Sequence, residues 1–106
     1  MINFEIESFD LGDVKFRQVV TKTIRITNTT NNPLHIKTPQ ASCSCTTGYT
    51  EENPLPPNSS TNLKINFDSS KTGLGSQNKS MTISWKDNSS TKSYSKTIKF
   101  NVNVTR

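Results

Sequence analysis

At 106 residues the chain has room for one compact domain, and hydrophobic residues at 29% leave that domain a thin core. Serine, threonine and asparagine supply 41 residues (14, 15 and 12), which would mean disorder were the apolar residues scattered, but these recur on a regular period. The formal charge of +5 is spread over most of the chain, with no arginine-rich arm and no face where bases alternate with aromatics. That pattern speaks against specific nucleic-acid binding and for acidic partners in general.

No stretch approaches the roughly 18 apolar residues that a membrane-crossing helix needs. Met1-Ile2-Asn3-Phe4-Glu5 lacks the basic start and apolar run of a signal peptide. The chain is therefore expected to be made in a cytoplasm, where Cys43 and Cys45 would be thiols.

In chain order, period-two alternation predicts seven strands. Ile2, Phe4 and Ile6 share one parity, and Phe9-Asp10-Leu11-Gly12-Asp13 is expected to turn the chain. Val20, Ile24 and Ile26 mark the second strand, with Thr21, Thr23, Arg25 and Thr27 outward. A polar turn at 28–33 leads to Leu34 and Ile36, and Ala41, Cys43 and Cys45 share a face in a fourth strand. Segment 50–61 carries Pro54, Pro56 and Pro57 and is expected to lie outside the sheets. Leu63, Ile65 and Phe67 form the fifth strand, Met81, Ile83 and Trp85 the sixth, and Ile98, Phe100, Val102 and Val104 the seventh. Thr72-Gly73-Leu74-Gly75 lacks the Lys-Ser/Thr of a phosphate-cradling loop and reads as a flexible connection. No helical period survives, so the expected fold is all-β, a single immunoglobulin-like sandwich of about seven antiparallel strands over residues 1–106, with a barrel as the structural alternative.

The order of these features resembles the bacterial DUF1573 domains, which are similar to the immunoglobulin-like sandwiches of the ASPM, SPD-2 and Hydin group and to the major sperm protein fold. The residues that carry the resemblance are Phe9-Asp10-Leu11-Gly12-Asp13-Val14, Thr23-Ile24-Arg25-Ile26-Thr27-Asn28, Pro33-Leu34-His35-Ile36 and Ala41-Ser42-Cys43-Ser44-Cys45-Thr46. The Pro56-Pro57 turn, Phe67-Asp68 and Lys79-Ser80-Met81-Thr82-Ile83 complete it. Ser44 and Asn58 stand where the family usually has glycine. The resemblance implies a sandwich with a non-enzymatic role and no catalytic residues to carry over.

The candidate chemistry is sparse. Cys43 and Cys45, on one face of a strand, are expected to pack in the core as free thiols. A disulfide between them is disfavoured by the roughly 6.5–7 Å that an extended strand puts between such Cα atoms. A soft metal on Cys43 and Cys45 is a further alternative, but His35 would bring the ligands only to three, short of a closed zinc site. His35 is out of phase with Leu34 and Ile36 and should face solvent, away from the cysteines, which argues against a Cys-His dyad. Trp85 shares the parity of the core. No enzyme activity and no cofactor are expected.

The expected role is a structural or binding module, first a phage virion component decorating a capsid or tail, the high Asn, Ser, Thr and Lys content suiting a virus of an AT-rich host. The alternative is a cellular or envelope-associated adaptor, cytoplasmic or periplasmic, that binds a protein or glycan. The partner would be an acidic protein surface in a larger assembly, self-association being possible. It would be met through strand edges and the loops at 28–33, 50–61, 69–79 and 86–93. The contact residues expected are Asn28, Asn31, Asn32, Glu51, Glu52, Asn58, Lys71, Leu74, Asn78, Lys86 and Asn88.

Overall fold

The computed structural model describes residues 2–87 and 92–106. Alternating burial runs along every long strand: Ile24 and Ile26 are buried between exposed Thr23 and Arg25, and Leu63, Ile65 and Phe67 alternate with Asn62, Lys64 and Asn66. Such a chain buries one face of each strand and must close two sheets on each other.

The first sheet places β1 (Ile2–Phe4), β3 (Val19–Asn28), β7 (Ser60–Asp68) and β6 (Thr46–Thr50) side by side in that order, all antiparallel. The second runs β2 (Ser8–Lys15), β9 (Ser93–Thr105), β8 (Gly75–Asp87), β4 (Leu34–Ile36), with β5 (Gln40–Ala41) also pairing β8. The β8–β9 hairpin is its backbone, in register from Gly75↔Val104 to Lys86↔Ser93. A 3₁₀ turn at Ser69–Lys71 follows β7. The molecule is elongated, 49 × 21 × 18 Å, so its two ends are far apart.

The core follows the parity read from the sequence. Ile2, Phe4, Ile24, Ile26, Leu34, Ile36, Leu63, Ile65, Met81, Ile83, Trp85 and Ile98 pack toward one end. Val14, Phe67, Phe100, Val102 and Val104 pack toward the other, joined by Cys45. Phe4 and Trp85 tilt against each other with centroids 5.9 Å apart, and Phe67 meets Phe100 edge-on at 6.1 Å.

Among the described residues nine strands form where seven were expected, and the differences have local causes. Residues 9–13 do not turn the chain: they lie within β2, which pairs parallel to β9. Asp10 Oδ1 accepts the Gly12 N–H at 2.8 Å and Gly12 takes φ +71°, so the Asp-x-Gly unit makes a register shift inside a strand. The fourth strand breaks after Ala41, bends through residues 42–45 and resumes as β6. Most of the proline-rich 50–61 segment lies outside the sheets, but Leu55 is buried and bridges Leu34 by two backbone hydrogen bonds of 3.0 and 2.9 Å.

Candidate functional site

The cysteines depart from expectation. Cys43 and Cys45 form a disulfide. The expected extended strand would hold their Cα atoms at the edge of disulfide reach, but the bend at 42–45 brings them to 5.2 Å, well inside the usual range of roughly 4.4–6.8 Å. Cys45 is buried beside Phe67, Phe100 and Val102, while Cys43 is half-buried against the same cluster. The Cys45 N–H donates to Cys43 Sγ at 3.0 Å and the Thr46 N–H to the Cys43 carbonyl at 3.2 Å, which fixes the bend. The pair offers no thiolate for the metal or nucleophile alternatives in this state. Among the described residues no three His, Cys, Asp or Glu side chains converge for a metal ion. His35 is exposed on β4, as its parity indicated.

The expected contact residues divide between the two ends and the strands. Asn28 is no contact residue. It is buried, and its Nδ2 donates to the carbonyls of Asn32 (2.8 Å), Leu55 (3.1 Å) and Pro56 (3.1 Å). Its Oδ1 accepts from the Thr30 N–H (2.9 Å) and Thr30 hydroxyl (2.7 Å), so one side chain builds the loop end around itself. Above it Asn31 and Asn58 are exposed and joined at 3.3 Å, Asn58 in the left-handed region at φ +53°. Asn32 is half-buried and donates to Asp87 Oδ2 at 3.4 Å. Glu51 and Glu52 are exposed, Glu51 facing Lys64 at 3.7 Å. Lys71 and Leu74 are exposed at the opposite end. Asn78 and Lys86 are exposed but lie on β8, because that strand extends from Gly75 to Asp87 where loops were expected at both ends. Asn88 lies outside the described residues.

A feature that the alternation did not disclose is the open edge of β6. Its pairing with β7 passes through Cys45/Asp68 and Glu51/Asn62, where Asp68 N–H donates to Cys45 (2.7 Å) and Glu51 N–H to Asn62 (3.1 Å). Every second residue exchanges hydrogen bonds in an antiparallel pair, so Thr47 and Tyr49 bond to β7 while Gly48 and Thr50 turn their backbone groups outward. Opposite them run Ile36, Lys37, Thr38 and Pro39, leaving a cleft of about 210 Å³ that also reaches Asn53. The Asn53 side chain closes the β4 side: its Oδ1 accepts the Ile36 N–H at 2.9 Å and its Nδ2 donates to the Ile36 carbonyl at 2.7 Å. The Ile36 backbone of β4 is thus satisfied locally, while Gly48 and Thr50 of β6 face the cleft. Thr46-Thr47-Gly48-Tyr49-Thr50 has no large aliphatic residue, and Tyr49 is 53% exposed, so this strand carries little periodic apolar signal.

Two sheets with these strand orders define an immunoglobulin-like β-sandwich. The chain belongs to the family described as "Protein of unknown function (DUF1573)", whose profile matches residues 2–104. Its fold is similar to that of a protein of unknown function from Porphyromonas gingivalis W83, with TM-score 0.78 and 19% identity over 96% of this chain and 46% of the other. The YadV chaperone gives TM-score 0.75 and 13% identity over 99% of this chain and 52% of that one. The ASH / PapD-like domain 7 of human CEP192 gives TM-score 0.76 and 7% identity over 99% and 85% respectively. The chain therefore spans about half the length of the first two. No curated protein matches it in sequence. At these identities the likeness is one of fold.

Proposed function

We propose that the chain is a non-catalytic protein-binding module that takes up an extended segment of a partner along β6. The observation that carries this reading is the edge itself: by the alternation of the β6–β7 ladder, Gly48 and Thr50 turn their backbone N–H and C=O groups outward, toward the cleft faced by Ile36 to Pro39. Exposed edges of this kind recruit strands, with main-chain hydrogen bonds giving affinity and pockets for alternate side chains giving specificity. A structural neighbour described as a chaperone lends the same direction by analogy.

In this reading the partner belongs to a larger assembly, a phage capsid or tail, whose acidic surface the +5 charge would meet. The Cys43–Cys45 disulfide favours an oxidising setting, which a virion surface supplies and a cytoplasm does not. The same bond supports a second reading, an envelope-associated adaptor. Mass spectrometry of purified particles and of envelope fractions separates the two, since the polypeptide should be present in one and absent from the other.

Thr50→Pro tests the edge. It removes an outward N–H without touching the β6–β7 bonds, and proline is tolerated on edge strands. The variant should fold and lose its place in the assembly. Full retention there would contradict capture along β6.

A further inference from the structure

Two large apolar side chains, Phe16 (39% exposed) and Leu74 (47%), stand at the end of the sandwich where β2 turns into β3 and residues 72–74 lead into β8. With Arg17 and Arg106 they line an open hollow of about 470 Å³. Apolar side chains left exposed together beside guanidinium groups mark a surface suited to contact.

The turn is held firmly. Buried Ser69 donates its hydroxyl to the Lys15 carbonyl at 2.6 Å, accepts the Gln18 N–H at 2.9 Å and donates its own N–H to the Gln18 carbonyl at 2.9 Å. The Phe16 N–H donates to the Thr105 carbonyl at 2.7 Å. At the apex Arg17 adopts φ +69°, a left-handed conformation that glycine would take without strain. The position keeps a guanidinium where the backbone would favour glycine. Its Cζ lies 5.7 Å from the Phe16 ring centroid, so the cation and the apolar surface form one unit.

The choice of cation narrows the occupant. The chain has ten lysines and three arginines, yet both cations of the hollow are arginines. Lysine suffices for diffuse attraction to an anionic surface, whereas the planar guanidinium fork matches individual carboxylates. Exposed Lys15 and Lys71 add positive potential nearby, and the acids toward this end have partners of their own: Asp68 accepts the N–H and hydroxyl of Ser70, and Asp13 accepts from Asn103 Nδ2 at 3.0 Å.

We infer that this hollow seats an acidic segment of a protein partner, with one bulky apolar side chain between Phe16 and Leu74 and flanking carboxylates on Arg17 and Arg106. The inference rests on the reading of the chain as a protein-binding module, but it uses a surface distinct from the β6 edge.

The test is an amide NMR titration of the full chain with a synthetic peptide carrying one phenylalanine between pairs of aspartate and glutamate. Phosphatidylserine vesicles and the same peptide with serine for phenylalanine run in parallel. Shifts should centre on Phe16, Arg17, Leu74 and Arg106. Arg17→Gln and Arg106→Gln should each weaken binding roughly tenfold, and Arg17→Lys several-fold, because the fork is lost while the charge stays. Unchanged far-ultraviolet dichroism of these surface variants shows that they fold. Shifts confined to Gly48 and Thr50 would overturn the hollow and leave the edge reading standing. Vesicle binding without peptide binding, or no shift at about 1 mM peptide, would overturn it as well.

Discussion

Met81 lies directly against Gly48, so that a Cβ at position 48 would sit 2.9 Å from Met81 Sδ and 3.3 Å from the Lys64 carbonyl oxygen. The two sheets touch here, β6 of one against β8 of the other, and glycine lets the fully buried methionine reach across. Gly48→Val should lower stability by about 1–3 kcal/mol through overpacking. Met81→Ala in that background should cost less than it does alone, since the cavity it leaves accepts the new side chain. Urea unfolding of the two single variants and the double variant measures the coupling; strict additivity would contradict the contact.

Asn28 satisfies five polar groups at the loop end of the sandwich, and its removal should be among the most damaging polar substitutions. Asn28→Ala leaves the Leu55 carbonyl, on the bridge to Leu34, without the side-chain donor, and should cost about 3 kcal/mol. Asn28→Asp should cost more at neutral pH, because a carboxylate would replace a donor that faces three carbonyl oxygens. Chemical denaturation midpoints rank the two; a loss below about 1 kcal/mol for both would show that the loop reorganises freely.

The disulfide closes a very short loop, and the chain-entropy account assigns it a small contribution. Replacing Cys43 and Cys45 together by alanine should lower stability by about 1–2 kcal/mol while far-ultraviolet dichroism stays unchanged. Unfolding of the double variant at room temperature would mean that the bond, and not the core around Phe67 and Phe100, holds this end together.

Asp68 caps the 3₁₀ turn, and the Ser70 hydroxyl, then the Ser70 N–H, lower its pKa from 3.8, against an opposing desolvation that outweighs the further lowering by Lys71. A depressed folded pKa favours the native state above the unfolded value of 3.8 and loses that effect as pH falls through the lower folded value. Asp68→Asn should therefore be less stable than the parent at pH 6 and converge on it under strongly acidic conditions. The carboxylate stays in contact with solvent, so the gap is small, and a gap that widens with acidification would contradict the cap.

Much of this architecture was legible because burial alternates wherever strands carry β-branched or aromatic residues. Ile24, Ile26, Leu63, Ile65, Phe67, Met81, Ile83 and Trp85 fell on the core side as their parity indicated, and His35 on the solvent side. Polar sequences hid the rest. β2 carries Asp-Leu-Gly-Asp, which reads as a turn until Asp10 is seen folding back on Gly12 within a parallel ladder. β6 has threonines, a glycine and an exposed tyrosine, so its edge had no hydrophobic period to announce it. A bond between the two-apart cysteines was disfavoured because a strand was assumed where the chain bends. Asn28 looked like a surface loop residue because composition cannot distinguish an asparagine that contacts water from one that replaces it.

The account turns on β6 being open in the free chain and occupied in the assembly, and amide hydrogen exchange at Gly48 and Thr50 measures both states. In the free chain these two amides should exchange fast while those of Thr47 and Tyr49 are protected by β7. On the partner assembly they should become as slow as their neighbours. Gly48 and Thr50 amides that still exchange fast in the bound state would contradict the account.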